Sequence, residues 1–180
     1  FVKKLVVATS NNIKDDQLAD YLSKLKVNIY RGELKNVSRR MLDVANLYKA
    51  KYFIRISGDS PLIDHKLIDK LGGIYNKHRG KYEIITNVFP RSFPKGQSVE
   101  LIKTQILKEN IHLFGNLELE HVTKYFYKNY KHFKIKNFRN LSKNNLLKLS
   151  IDTKQDLKNL LYYFNKNDKF KKFKIIKWEI

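Results

Sequence analysis

Apolar and polar positions along the first half of the chain follow two different periods, which predict strands that alternate with helices. Short apolar runs predict strands, and segments in which apolar residues recur every three or four positions predict helices. The predicted strands are residues 5–9, 27–30, 52–56 and 82–88, and the predicted helices are residues 14–25, 37–49 and 65–75. Such alternation is typical of an α/β fold, with a mostly parallel sheet and helices on both faces.

The pattern is less regular after residue 88. A loop with two prolines occupies residues 90–96. Beyond it we predict strands at residues 98–101, 133–138 and 147–151, and helices at residues 103–114, 118–130 and 152–164. No internal repeat or linker interrupts this order, so we expect residues 1–180 to form a single domain.

Two aspartates follow the carboxyl ends of predicted strands, which is where ligands bind in an open α/β sheet. Asp59 comes directly after the strand 52–56, and Asp152 directly after the strand 147–151. Either carboxylate could satisfy main-chain N–H groups of a turn or of a helix start. Either could instead hold Mg²⁺ against a substrate phosphate. The residues alone leave both interpretations open.

Composition excludes some classes of protein. Hydrophobic residues make up 42% of the chain, as in a globular protein, and there is no Cys. A disulfide framework and a thiolate metal site are therefore excluded, which is consistent with a reducing compartment, and we expect a cytoplasmic protein. No apolar run approaches the ~20 residues that span a bilayer, so we expect no membrane association.

The net charge of +20 invites a nucleic-acid interpretation. Against this, the basic residues are 30 Lys and 7 Arg, and they are spread over the whole chain. Nucleic-acid-binding proteins more often cluster Arg with aromatic residues. The one dense stretch, residues 166–177, is typical of a solvated terminal element. We therefore expect no nucleic-acid partner, and keep a basic nucleic-acid-binding module as the weakest alternative.

Several motifs occur together in a recognisable order. They are residues 7–10 with Asp15 and Asp16, Arg31 and Gly32 with Arg40, residues 55–64, residues 90–100, residues 120–123 and residues 151–157. In this order and spacing, the chain resembles the cytidylyltransferases of the spore coat polysaccharide biosynthesis protein F type, relatives of the CMP-KDO and CMP-sialic acid synthetases. The resemblance covers nearly the whole chain.

This resemblance implies a Rossmann-like nucleotide-diphospho-sugar transferase fold and a reaction in which CTP and a sugar give a CMP-sugar and pyrophosphate. The product would serve surface polysaccharide or glycan biosynthesis. Asp59 and Asp152 are implied to be catalytic and to hold Mg²⁺. The resemblance also implies a homodimer that pairs through the second half of the chain. Aromatic residues 125–138 would either form this contact or fill the monomer's own core.

Other matched residues are implied to bind the substrate or the nucleotide. They are Ser10, Arg31, Arg40, Arg55, Arg91, Glu100, Glu120 and His121. Arg31 and Arg40 could equally be surface ion-pair partners, and Arg91 could clamp a carboxylate or phosphate or be merely solvated. Glu120 and His121 could pack on a helix face, or His121 could bind sugar or assist proton removal.

The chain departs from the family pattern in three places. Ser98 stands where the family usually has Asp, and Leu119 where it usually has Arg, which puts the choice of sugar in doubt. The family's first strand and basic phosphate-binding loop would precede Phe1, so we expect an N-terminally truncated version of the fold. A non-catalytic remnant or partner subunit with the same fold is therefore the main alternative to an enzyme.

Overall fold

The first half of the molecule alternates strands and helices, as the sequence predicts. The structure is a computed structural model, and it describes residues 2–140 and 148–166. The elements in this half are β1 (Val6–Ser10), α1 (Asp16–Lys24), β2 (Asn28–Gly32), α2 (Val37–Leu47), β3 (Tyr52–Arg55) and α3 (His65–Lys77). A single 3₁₀ turn, Ile13–Asp15, precedes α1.

The second half contains shorter elements. They are β4 (Ile84–Thr86), β5 (Glu100–Lys103), α4 (Thr104–Asn110), α5 (Asn116–Glu120), α6 (Lys124–Lys128), β6 (Ile135–Asn137) and α7 (Lys154–Lys166). The helix predicted at residues 118–130 is thus broken into α5 and α6. The break lies at His121, whose backbone leaves the helical region (φ −110°, ψ 79°). Val122 and Thr123, both buried and β-branched, follow it, and β-branching lowers helix propensity slightly.

The strand predicted at residues 147–151 is reduced to one bridge between Lys148 and Lys95. Residue 147 lies outside the described residues. So does the basic stretch 166–177, except for its first residue, which ends α7.

The α/β class is confirmed, and among the described strands of the larger sheet β5 alone runs against the direction that the others share. β1 and β2 form a parallel pair, and the other strands form a four-stranded sheet in the order β3-β5-β4-β6. Within it, β5 runs antiparallel to both β3 and β4, and only β4 and β6 are parallel. The cause is the connection from β4 to β5. Because it is a loop without a crossover helix, the chain returns in the opposite direction.

Helices cover both faces of the four-stranded sheet. Successive residues of a strand point to opposite faces. Accordingly, Ile84 and Ile102 pack with α2, α4 and α6, whereas Ile85 and Leu101 pack with Leu71 of α3. All five side chains are at most 2% exposed. Burial of each stabilises the fold by about 1.5–3 kcal/mol before entropic costs are considered.

Aromatic residues of the segment 125–138 fill this core. Phe126 is 0% exposed, and it packs edge-on against Phe114, Tyr125 and Phe133. Phe138 packs on the opposite face of the sheet. Phe126 and Phe138 thus support the monomer-core interpretation, whereas Tyr130 is 51% exposed, so a dimer contact through this segment stays a prediction. The homodimer itself stays a prediction.

Within the described part of the chain, no helix combines the length and apolar character needed to cross a bilayer.

Candidate functional site

The structure brings Asp59 and Asp152 onto neighbouring turns, although 93 positions separate them in the sequence. The main-chain N–H of Ile151 donates a hydrogen bond to the carbonyl oxygen of Asp59 at 2.8 Å. This bond joins the turn after β3 to the segment that precedes α7. Both aspartates are exposed, so their carboxylates face solvent beside the carboxyl end of β3.

Asp59 does not cap a helix. Its Oδ1 accepts a hydrogen bond from the hydroxyl of the buried Ser60 at 2.8 Å. The cap of α3 is Asp64, whose Oδ1 accepts from the main-chain N–H of Lys66 at 2.9 Å. The capping interpretation of Asp59 is therefore wrong for α3, and its second carboxylate oxygen is available to a ligand.

The capping interpretation of Asp152 is also wrong, because Thr153 and Asp156 cap α7 together. The Thr153 hydroxyl accepts from the main-chain N–H of Asp156 at 3.1 Å, and the Asp156 carboxylate accepts from that of Thr153 at 2.9 Å. This reciprocal pair is a capping box. The Asp152 carboxylate instead forms an ion pair with Lys148 at 2.7 Å.

Lys148 also pairs with Asp156 at 2.7 Å. Chiefly through this contact, the pKa of Asp156 is lowered to about 2. Hydrogen bonds from the main-chain N–H groups of Asp152 and Thr153, and from the Thr153 hydroxyl, favour the charged carboxylate as well. Two carboxylates thus share one lysine next to the turn that carries Asp59, and the group keeps one net negative charge.

The Asp59 and Asp152 turns fit a magnesium ion that substrate phosphates help to bind. Among residues 2–140 and 148–166, no three His, Cys, Asp or Glu side chains group as metal ligands, so the described chain offers no complete protein cage. Mg²⁺ does not need one. It commonly takes one or two carboxylates together with phosphate oxygens and waters. Two exposed carboxylates on adjoining turns supply this donor set, while the assignment of the metal stays a prediction.

A pocket of about 550 Å³ opens beside Arg55, at the end of β3. Its walls come from the loop after β4 and from the α5–α6 region. It is lined by Arg55, Val88, Phe89, Arg91, Ser98, Glu100, His121, Thr123, Lys124, Tyr127 and Lys128. Four predicted substrate-binding residues, Arg55, Arg91, Glu100 and His121, therefore meet in one cavity. Glu120 is exposed and does not line it.

The floor of the pocket is an ion pair. Arg55 of β3 and Glu100 of β5 are directly opposite each other in the antiparallel ladder. Their side chains meet at 2.7 Å between Arg55 Nη1 and Glu100 Oε2, and Glu100 is only 2% exposed. A buried carboxylate requires such partners, because leaving it unpaired away from water is costly.

The wall of the pocket carries positive charges for which the described part of the chain shows no carboxylate partner. Arg91 Nη1 donates to the hydroxyl of Ser98 at 3.1 Å, and that hydroxyl is neutral. Lys124 and Lys128 are exposed at the same cavity. Among the described lining residues Glu100 is the only carboxylate, and Arg55 neutralises it, so this part of the pocket is net positive.

Residues 1–176 match a protein family described as "Cytidylyltransferase". The chain belongs to this cytidylyltransferase family. It is 29% identical over 157 residues to an uncharacterised protein of Methanocaldococcus jannaschii, a match that covers 86% of this chain and 63% of that protein. It is 26% identical over 175 residues to the spore coat polysaccharide biosynthesis protein SpsF of Bacillus subtilis, covering 90% of this chain and 67% of that protein.

The fold is also similar to that of a solved cytidylyltransferase. The structure of a cytidylyltransferase from Leptospira borgpetersenii superimposes with a TM-score of 0.81 at 26% identity, over 96% of this chain and 80% of that chain. The Rossmann-like nucleotidyltransferase architecture is therefore confirmed. The chain spans about two thirds of the length of the two curated relatives.

Ser10 and Arg31 of this cytidylyltransferase domain lie outside the pocket and contribute to the turn after β1. The Ser10 hydroxyl donates to Asp15 at 2.5 Å, and hydrogen bonds from Ser10 and Thr9 lower the pKa of that carboxyl group. Arg31 donates to the carbonyl oxygens of Ser10 and Asn12, each at 2.9 Å, and pairs with Asp16 at 2.6 Å. The ion-pair interpretation of Arg31 is confirmed, and nucleotide binding by either residue stays a prediction.

Arg40 is buried rather than at the surface, so its surface ion-pair interpretation is wrong. It is 9% exposed, and its Nη1 donates to the carbonyl oxygens of Glu33 and Leu34 at 2.8 and 3.1 Å. No hydrogen-bond partner for its Nε is found among the described residues, and burial lowers the pKa of the Arg40 guanidinium. A β-carbon at position 32 would meet the Arg40 side chain at 2.8 Å, so Gly32 allows this close approach.

Lys124, Tyr127 and Lys128 were missed by sequence reasoning. They follow His121 at intervals of three, six and seven positions, so a helical face shared with the matched residue His121 was the available signal. The break after α5 directs His121 into the pocket, and α6 supplies the other three.

Proposed function

We propose that this protein is a nucleotidyltransferase that transfers CMP from CTP to a sugar and releases pyrophosphate, in the biosynthesis of a surface polysaccharide or glycan. Family membership supports cytidylyl transfer, and the SpsF relative is by name a polysaccharide biosynthesis protein. The observation that carries the proposal is the hydrogen bond from Ile151 to Asp59, because it joins the turns of two exposed aspartates near the positively charged pocket, where they would hold a metal ion.

The reaction joins the sugar oxygen to the α-phosphorus of CTP. As this bond forms, the bond from the α-phosphorus to the bridging oxygen of pyrophosphate breaks, and the sugar hydroxyl loses its proton. Asp59 and Asp152 would hold Mg²⁺, which would neutralise charge on the phosphate oxygens. His121 lines the pocket and would assist removal of the hydroxyl proton.

The charge of the pocket supports an acidic sugar as the acceptor. Arg91, Lys124 and Lys128 bring three positive charges to the walls, and among the lining residues only Glu100 is acidic. A cavity of one sign attracts ligands of the opposite sign. Ser98, where the sequence resemblance leads to an expected Asp, gives Arg91 a neutral hydroxyl partner in place of a carboxylate.

The direct test is pyrophosphate release by the full-length protein with each of the four nucleoside triphosphates and a panel of sugars. The panel would contain KDO, sialic acid and neutral N-acetylglucosamine. We expect release only with CTP, Mg²⁺ and an acidic sugar. Release with a neutral sugar alone would overturn the acidic acceptor, and no release with any sugar would favour the non-catalytic remnant.

Two further expectations belong to this proposal. A cytoplasmic location and a homodimer remain predictions, and light scattering at high protein concentration would test the dimer. The absence of a nucleic-acid partner would be tested by filter binding at increasing salt, where phosphate contacts would show a steep loss of affinity.

A further inference from the structure

A buried hydrogen-bond network beneath the pocket centres on Tyr127 of α6. Its phenolic oxygen lies 2.5 Å from Glu100 Oε1 and 2.9 Å from Thr86 Oγ1. A carboxylate only accepts hydrogen bonds, so the single phenolic proton points to Glu100 and Thr86 donates its own. Thr86 is 0% exposed and Glu100 is 2% exposed.

Tyr127 is held in this place on two sides. Its ring stacks on that of Phe89, with centroids 4.6 Å apart and planes at 5°. Its pKa is raised well above 10 by burial and by the charge of Glu100, so the phenol keeps its proton. The donor to Glu100 is therefore fixed in position and permanently protonated at neutral pH.

Both oxygens of Glu100 are thereby fixed. Oε1 accepts from Tyr127 and Oε2 accepts from Arg55 Nη1 at 2.7 Å. A guanidinium group carries five N–H groups. In the described part of the chain, a protein acceptor is found only for those on Nη1 of Arg55. The rest of the Arg55 head lies at the pocket, where the side chain is 21% exposed.

We infer that Tyr127 is a positioning residue for the sugar substrate. It fixes the carboxylate of Glu100, which in turn fixes the guanidinium of Arg55. The remaining N–H groups of Arg55 then meet the sugar in one orientation. Tyr127 also lines the pocket, but its hydroxyl is directed to Glu100 and Thr86. The test that measures the KM for the sugar rests on the proposed function, whereas the test that measures the orientation of Arg55 does not.

The variant that tests it is Tyr127→Phe, which keeps the ring and its stack on Phe89 and removes only the hydroxyl. The matched control is Tyr125→Phe, because Tyr125 lies on the same helix but packs in the core against Phe114 and Phe133. With KDO as the probe acceptor, we expect Tyr127→Phe to raise the KM for the sugar roughly tenfold, the scale of one hydrogen bond to a charged group. The KM for CTP should stay unchanged.

Nuclear magnetic resonance of the Arg side chains gives a readout that needs no turnover. In the unaltered protein, we expect restricted rotation of the Arg55 guanidinium, seen as separate Nη signals that Arg55→Lys removes. Tyr127→Phe should merge them and Tyr125→Phe should not. If Tyr127→Phe fails to fold, Glu100→Gln, which keeps the shape of the side chain, should also merge the signals.

Separate Nη signals in Tyr127→Phe, with both KM values unchanged and only the melting temperature lowered, would overturn the inference and leave Tyr127 a purely structural residue. If the unaltered protein transfers no CMP to any sugar, the proposed function fails on its own, and the Arg55 signals alone decide the positioning role.

Discussion

The main-chain N–H of Leu149 donates to the carbonyl oxygen of Lys95 at 2.8 Å, so the proline-containing loop that carries Arg91 rests on the segment that leads to Asp152. Gly96 permits this contact. Its φ is +91°, and a β-carbon there would lie 2.6 Å from the carbonyl oxygen of Leu149 and 2.7 Å from the nitrogen of Ser150. Main-chain contacts thus connect the loop that forms the pocket wall to the segment that precedes Asp152.

Replacing Gly96 by Ala should therefore damage stability and activity together. Backbone strain of this kind costs about 1–3 kcal/mol, and the clash with main-chain atoms adds to it. The matched control is Gly73→Ala in α3, where a β-carbon meets nothing within 4 Å. Because Ala favours a helix over Gly by about 1 kcal/mol, this control should be neutral or stabilising in thermal unfolding. Equal melting temperatures for the two variants would contradict the prediction.

Asp59→Asn and Asp152→Asn should each lower kcat of the full-length protein by roughly a hundredfold or more, a loss of about 2.7 kcal/mol in transition-state stabilisation. Both carboxylates are exposed, so thermal unfolding should change little. Binding of Mn²⁺ in the presence of CTP, followed by electron paramagnetic resonance, should weaken in both. Asp69→Asn, an exposed carboxylate on α3, should leave turnover and metal binding intact. Full activity in Asp152→Asn would remove Asp152 from the metal site.

Stability should fall in acid because of Asp156. Its pKa of about 2 in the folded protein lies below its value of about 4 in an unfolded chain. Stabilisation by the charged group is therefore complete above pH 4 and is lost as the pH falls towards 2. Chemical unfolding between pH 5 and pH 2 should show this loss in the unaltered protein and much less of it in Asp156→Asn. The two proteins should differ most at pH 5, and a constant difference over the range would refute the assignment.

Ser98→Asp should convert the Arg91 contact from a neutral hydrogen bond into an ion pair. The pocket would then lose one net positive charge, and we expect the KM for an acidic sugar to rise about tenfold, equivalent to about 1.4 kcal/mol. Ser98→Asn keeps a neutral acceptor for Arg91 and is the control for the change of size. An unchanged KM in both variants would mean that Arg91 does not interact with the charged group of the sugar.

Periodicity predicted the local elements well and the long-range arrangement poorly. The strand Tyr52–Arg55 and the start of α3 at His65 are as predicted, because each depends on neighbours within a few residues. The direction of β5 was not predicted, because it is decided by the path of the preceding loop. The break at His121 was missed because helical spacing continues through Val122 and Thr123, while burial of these residues favours the turn.

The site shows the same division. The resemblance predicted Arg55, Arg91, Glu100 and His121, which meet in the pocket. The resemblance could not show that Arg31 donates hydrogen bonds to carbonyl oxygens of the turn after β1, because such contacts depend on the folded backbone. Nor could it show that Tyr127 reaches Glu100, since they are distant in the sequence and the hydrogen bond exists only after α6 packs on β5.

The floor and the wall of the pocket belong to different kinds of structure, so changes in sugar specificity are easier to make in one than in the other. Its floor is an ion pair between two strands of the sheet, whereas much of its wall belongs to a loop that reverses the chain. A change in the floor disturbs the ladder between β3 and β5, but a change at Arg91 or Ser98 in the loop leaves that ladder in place. The wall is thus the part that evolution, or a protein engineer, can exchange to admit a new sugar without rebuilding the enzyme's scaffold.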